Sequence, residues 1–289
     1  MRRSVIRTRK EFLERRQHER VHEAIASRKE QFQEAMRTGT PLPGHLRKDA
    51  LALKKFTELD DEETRKLKTT IDDEYALAGS EDPHVLVSTS RGASQKLLEF
   101  AKEIRLVIPN AVRVNRGNLS VHQLMEAARR DNFTDVVVLQ ESHGVPDSIT
   151  ISHLPLGPTV TFTIHNLVTR HDIEGVGTMS EQYPHLIFEN FTTKLGLRIK
   201  DVLRFLFPVP KPEATRVMTF DNQNDFISFR HHTFHADPKN SKQVELTEVG
   251  PRFELTPYRV VLGTLEMDDA ETEWVLQPYM NTAKKRRLL

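Results

Sequence analysis

The chain has 289 residues, with 42 Lys/Arg against 41 Asp/Glu, 29% charged and 37% hydrophobic residues. That is enough for one large domain or two small ones plus appendages, and polar enough to predict that part of it lies outside any core. It has no cysteine, which excludes a disulfide framework, thiolate zinc sites and thiol nucleophiles. The basic N-terminus has no apolar stretch behind it and no window approaches a membrane span, which predicts a soluble intracellular protein with no membrane partner.

Charge is segregated along the chain. Residues 1–70 carry 18 Lys/Arg and 12 Asp/Glu, a net +6, which leaves −5 for residues 71–289. From Val5 to about Met36 sparse apolar residues, among them Phe12, Ile25 and Phe32, recur near helical spacing. A stripe this thin predicts a long helix that depends on docking along a partner. The Gly and Pro run between Thr38 and Gly44 ends it, and residues 1–80 read as a charged, largely helical or extended arm.

At Pro83 the composition changes. A buried strand is predicted from His84, an amphipathic helix from Ser94 to Pro109, a short strand at Ala111–Asn115, and a second helix from Ser120. Thr134–Gln140 has the strongest strand signal, and Ser148–Ser152 with Thr159–Ile164 read as a hairpin. The βαβαβ pattern predicts a sheet with helical crossovers.

The strand at Pro83–Val87 recurs as Pro184–Phe188, and each copy leads into an amphipathic helix closing on a proline, Pro109 and Pro208. Leu98 aligns with Leu197, Ile104 with Leu203, and Arg105 with Arg204, with a strand next in each copy, from Val112 and from Val217. Aligned prolines at both ends exceed what binary patterning requires, so a duplicated α/β half-domain is expected, over 83–165 and 184–265. Strands follow at Asp225–Arg230 and near Val244 and Phe253. Asp268–Thr282 reads as a closing helix with Trp274 and Val275 inward, so that 266–289 is a C-terminal helix and basic tail.

Two constellations invite metal readings. His18-Glu19-Arg20-Val21-His22 has the spacing of a helical zinc site, but it sits in a charge-crowded segment without the water-poor pocket a catalytic zinc requires. The run Arg230–His235 has three histidines and no nearby carboxylate, and surface or RNA-facing histidines are the expectation. No Walker loop, dinucleotide fingerprint or nucleophile elbow is present. These absences predict no cofactor, no metal and no enzyme. From Ser88 to Arg130, by contrast, eight Lys/Arg stand against three Glu, a local positive patch on an acidic body, which suits a phosphate backbone. Ser90 to Gly92 precede a helix N-terminus, where amides and hydroxyls meet anions. Lys284–Arg287 reads equally as a phosphate contact, a nuclear-import signal or a solubilising tail.

Val87–Arg91, Phe100–Ile104, Pro109–Ala111, Asn115–Gly117, Leu156–Thr159, Glu248–Glu254 and Leu262–Thr264 together resemble the Brix-domain family of ribosome biogenesis, over about 83–265. The resemblance implies two similar α/β halves related by a pseudo-two-fold, RNA binding, and no catalytic residues. Segments beyond the motifs, Asp72–Tyr75, Arg170–Asp172 and His185–Phe191, resemble the branch of the family found in the U3 small nucleolar ribonucleoprotein. That branch implies a nucleolar, nuclear protein of the small-subunit processome. Its partners would be the U3 small nucleolar RNA, precursor small-subunit rRNA, the large M-phase phosphoprotein and a fellow ribonucleoprotein protein of the particle, and it would support pairing of guide RNA with precursor. The alternatives are a large-subunit Brix factor and a mainly protein-binding scaffold. By motif position Ser90, Arg91, Arg113, Arg116 and Arg252 are the expected RNA or partner contacts, with Arg252 equally able to pair with an internal carboxylate.

Overall fold

The structure is a computed structural model. It describes residues 81–237 and 240–277, isolated positions between 6 and 78, and Leu289, with the side chains of 236–243 excepted. Contacts divide the chain into two units, Met1–Ser80 and Glu81–Leu289. In the first, the described positions from Ile6 to Thr38 are helical, and the Thr38 hydroxyl donates to the Glu34 carbonyl at 2.7 Å. The metal-ligating and basic-catalyst positions of the zinc-like motif, His18, Glu19 and His22, and the basic run at Lys284–Arg287 lie outside the described residues.

The second unit is built on one sheet of eleven strands. Its first half runs β1 (Val85–Thr89), α1 (Gln95–Val107), β2 (Ala111–Arg113), α2 (Val121–Arg130), β3 (Asp135–Ser142), β4 (Val145–His153) and β5 (Thr159–Val168). Local chemistry starts each helix. Ser94 caps α1 by accepting from the Leu97 amide, and Ser120 and Gln123 form a reciprocal capping box on α2. β1 is buried at all five positions because β2 and β3 flank it in parallel while helices cover both faces. Leu124, Met125 and Ala128 of α2 pack on Leu86, Val136 and Val138, which leaves Val85, Val87 and Val137 to α1 on the other face.

The second half runs β6 (His185–Glu189), α3 (Lys194–Phe205), β7 (Arg216–Gln223), β8 (Phe226–Asp237), β9 (Asn240–Glu248), β10 (Arg252–Val261) and β11 (Thr272–Val275). The strand order is β2-β1-β3-β4-β5-β10-β8-β7-β6, with β9 on β8 and β11 on β10. β5 and β10 meet antiparallel in the middle. Outward from them, β4, β3 and β1 repeat the directions of β8, β7 and β6, with antiparallel steps and then one parallel pair. This is a pseudo-two-fold, and it corrects the alignment of the repeat. The strand after α3, β7, lies inside β6 and is equivalent to β3, not to β2. The β2–α2 excursion has no counterpart in the second half, so β6 ends the sheet and is only partly buried. A proline-ended helix is followed by a strand in either half, and the local pattern does not encode the side of the first strand on which the next one enters.

A phenylalanine ladder joins the halves on the α1 face. Phe188, Phe220, Phe229 and Phe253 follow one another across β6, β7, β8 and β10 at centroid separations of 5.0, 5.2 and 4.7 Å, and Phe253 meets Phe100 of α1 edge-on at 5.8 Å. Beside the ladder Arg216 is 1% exposed. Its guanidinium donates to the Leu106 and Val107 carbonyls at the end of α1 (3.0 and 2.9 Å), to the Gln182 carbonyl (3.2 Å) and to His231 Nε2 (2.9 Å). The helix C-terminal dipole and these neutral acceptors stand where a carboxylate would be expected. His231 is therefore a core residue and not the surface or RNA-facing histidine expected; its Nδ1–H donates to the Gly250 carbonyl at 2.8 Å.

The expected helix over Asp268–Thr282 is also corrected. Thr272–Val275 is strand β11, pairing Trp274 with Val260 along β10. The open edge of β10 offers backbone groups that a short β-branched and aromatic segment satisfies better than a single helical turn. No helix among the described residues is long and apolar enough to cross a membrane.

Candidate nucleic-acid interface

The motif residues of the first half converge at the end of β1. The Ser90 amide donates to the Leu139 carbonyl at 2.8 Å, and the chain then reverses through Gly92 at φ +67°, which favours glycine. Parallel pairing sets Arg113 of β2 beside Val87, and the Val114 amide continues the ladder to the Val87 carbonyl at 2.9 Å. The loop after β2 returns over the same end. There Arg116 Nε and Arg91 Nε both donate to the Leu119 carbonyl, at 3.2 and 3.4 Å.

Between this loop, β2 and α1 lies a cleft of about 390 Å³ lined by Ser90, Leu98, Lys102, Arg113, Asn115 and Arg116, among others. None of its lining residues is acidic. Lys102 and Arg113 have no carboxylate partner among the described residues, so the field of the three cations is not neutralised locally. Burial, and after it the Arg91 charge, lowers the Arg116 guanidinium below its ordinary range.

Of the expected contact residues, Ser90, Arg113 and Arg116 line the cleft, and Arg91 stands beside it, held to the same carbonyl as Arg116. Arg252 is not with them. It opens β10 opposite Val168, four strands from β1, and pairs with Glu248 at 3.4 Å, the internal role weighed for it. The patch of eight basic residues also divides. Arg129 pairs with Glu266 and donates to the Thr264 hydroxyl at 3.1 Å, and Arg130 pairs with Asp131 at 3.2 Å, at the opposite end of the first half. The helix N-terminus is less open than expected. Glu141 accepts from the Ser94 amide at 2.9 Å and from its hydroxyl, so a carboxylate already occupies the cap. Gln95 and Asn115 also line the cleft, and the sequence reading missed both. Gln95, Leu98 and Lys102 share one face of α1 at helical spacing, a signal available only once that face was known to look onto β2.

Among the described residues no group of three or more His, Cys, Asp or Glu stands close enough to hold a metal ion. A sheet built of two α/β halves related by a pseudo-two-fold, with a basic cleft at one end, defines an α/β repeat protein. The Brix domain model matches residues 90–259, and the chain belongs to the Brix-domain family. It is 46% identical over 284 residues to the Brix domain-containing protein ZK795.3 of Caenorhabditis elegans, covering 98% of this chain and 95% of that one. It is 48% identical over 284 residues to the U3 small nucleolar ribonucleoprotein protein IMP4 of Homo sapiens, covering 98% and 97%. Among solved structures, a probable ribosomal biogenesis protein from Aeropyrum pernix K1 aligns at TM-score 0.47 and 20% identity over 60% of this chain and 96% of that one.

Proposed function

We propose that this chain is a non-catalytic, RNA-binding assembly factor of the U3 small nucleolar ribonucleoprotein. It acts in the nucleolus within the small-subunit processome, where it supports pairing of the guide RNA with precursor small-subunit rRNA, beside the M-phase phosphoprotein and a fellow ribonucleoprotein protein. Near-full-length identity to proteins named for the U3 particle supports the pathway. The observation that carries RNA binding is the cleft, where Lys102, Arg113 and Arg116 meet without a lining carboxylate. Phosphate contacts of this kind make affinity depend on salt, by about 0.7 in the log-log slope for each phosphate of a single strand.

The test is crosslinking of RNA in cells by the intact protein, comparing wild type with Arg113→Glu and Arg116→Glu together. Crosslinks concentrated on U3 RNA and small-subunit precursor, and lost in the variant, are expected. Unchanged crosslinks in the variant exclude the cleft, and crosslinks on large-subunit precursor overturn the pathway. A second reading, a mainly protein-binding scaffold, is favoured by edge strand β9, whose Val244 and Leu246 are 50% and 63% exposed. It expects Val244→Ser with Leu246→Ser to lose protein partners while the RNA crosslinks persist.

A further inference from the structure

Positive charge accounts for attraction to RNA but not for a recess. A double helix presents its phosphates on a convex surface and keeps its bases stacked, so proteins meet it over the shallow minor groove with elements that project. Here the basic side chains instead surround a concavity of about 390 Å³, near the lower end of the roughly 300–1,000 Å³ that small ligands occupy. Its walls differ in chemistry. Arg113 and Arg116 supply charge from β2 and the following loop, Lys102 supplies it from α1, and Ala93 with Leu98 form an aliphatic surface. Gln95 and Asn115, which carry side-chain amides, line the same space. The Gln95 Nε2 donates to Glu99 at 2.9 Å, which orients the group and leaves its oxygen and second N–H unspent. An unpaired nucleotide has the matching parts: a phosphate, a flat apolar base face, and an edge of donors and acceptors.

We infer that the cleft admits one unpaired nucleotide of an RNA strand, with its phosphate against Arg113, Arg116 and Lys102, its base face on Leu98 and Ala93, and its base edge toward Gln95 and Asn115. The inference rests on the RNA-binding reading above and deepens it from a charged surface to a selector of single strands. No aromatic ring lines the cleft, so the base is held by its edge and by aliphatic contact, which discriminates among bases more than sequence-tolerant stacking does.

The test uses the full chain and two probes, a short mixed-sequence single-stranded RNA and the same sequence as a blunt duplex, read by fluorescence anisotropy over a salt series. Ala93→Leu fills the recess. Gln95→Leu removes the amide at an exposed helical position where leucine is as good a helix former, so folding is retained. Neither changes the charge. The wild type is expected to prefer the single strand by about ten-fold, what one or two net hydrogen bonds to a base edge are worth. Both variants are expected to lose that preference through weaker single-strand binding at an unchanged salt slope. Equal binding of the two probes by the wild type overturns the inference, as does a preference that survives both variants. If the Arg113→Glu, Arg116→Glu variant still weakens both probes in that case, the RNA reading stands and only the nucleotide site falls. If the wild type binds neither probe, both fall together.

Discussion

Arg216→Met removes a guanidinium and leaves an unbranched, adaptable apolar chain in its place. The Leu106, Val107 and Gln182 carbonyls and His231 Nε2 then lose their donor in a site where Arg216 is 1% exposed. Each stranded acceptor costs roughly 1–3 kcal/mol, partly offset because a desolvated charge disappears as well, and the net loss of stability is about 3 kcal/mol. Urea denaturation reads it as a lower midpoint at unchanged slope. The clasp also sets an acid limit. Burial, and after it the Arg216 charge, pushes the His231 imidazole down to about 3. An unfolded histidine titrates near pH 6.5, so between about 3 and 6.5 only the unfolded chain takes up the extra proton. Stability is therefore complete above that window and falls as pH falls through it, by on the order of 4 kcal/mol at its lower end. Arg216→Met removes the positive neighbour, so the variant loses less stability on acidification than the wild type does. A loss below about 1 kcal/mol at neutral pH, or parallel pH profiles, refutes the reasoning, because a solvated or redundant arginine gives that result.

Other perturbations test the remaining packing. Gly157 has φ +110° and a Cβ there would stand 2.7 Å from the Gly263 backbone, so Gly157→Ala has both strain and a clash that no side-chain motion relieves. A loss of about 2–4 kcal/mol is expected by thermal or urea melting, against near-neutrality if the loops at 157 and 263 part easily. Glu103 of α1 is buried and accepts the Arg170 amide with both carboxylate oxygens, at 3.0 and 3.1 Å. Burial raises its carboxyl above the ordinary 4.5, opposed by that hydrogen bond and by His171 and Arg170. Its contribution to stability is greatest below the unfolded value and declines as pH rises through the raised one. Glu103→Gln removes that titration, so paired urea melts at about pH 4 and about pH 7 should show the variant gaining on the wild type at the higher pH. A constant difference between the two curves contradicts it.

Local pattern, acting over a few residues, determined the helices at Gln95–Val107 and Val121–Arg130, the buried β1 and β3, the β4–β5 hairpin and the existence of two repeated halves, and it singled out Ser90, Arg113 and Arg116, which line one cleft. Caps, period and turn chemistry are properties of adjacent residues, and short motifs carried the family. What depends on strands distant in sequence was decided by tertiary structure. Whether the strand after each helix enters outside or inside the first strand separates β2 from β7, and that choice leaves β6 at an edge. Thr272–Val275 became a strand because β10 had an edge to fill, and His231 became a core residue because Arg216 needed an acceptor beside α1. The cleft follows the same rule. Its cations were visible in the sequence, but its concavity exists only where α1 lies along β2 and the loop after β2 folds back, bringing Gln95, Lys102, Arg113 and Arg116 to one space. Arg252 pairs with Glu248 only four residues before it, but its distance from the cleft was decided by the pairing of β10 with β5, which sets it four strands from β1.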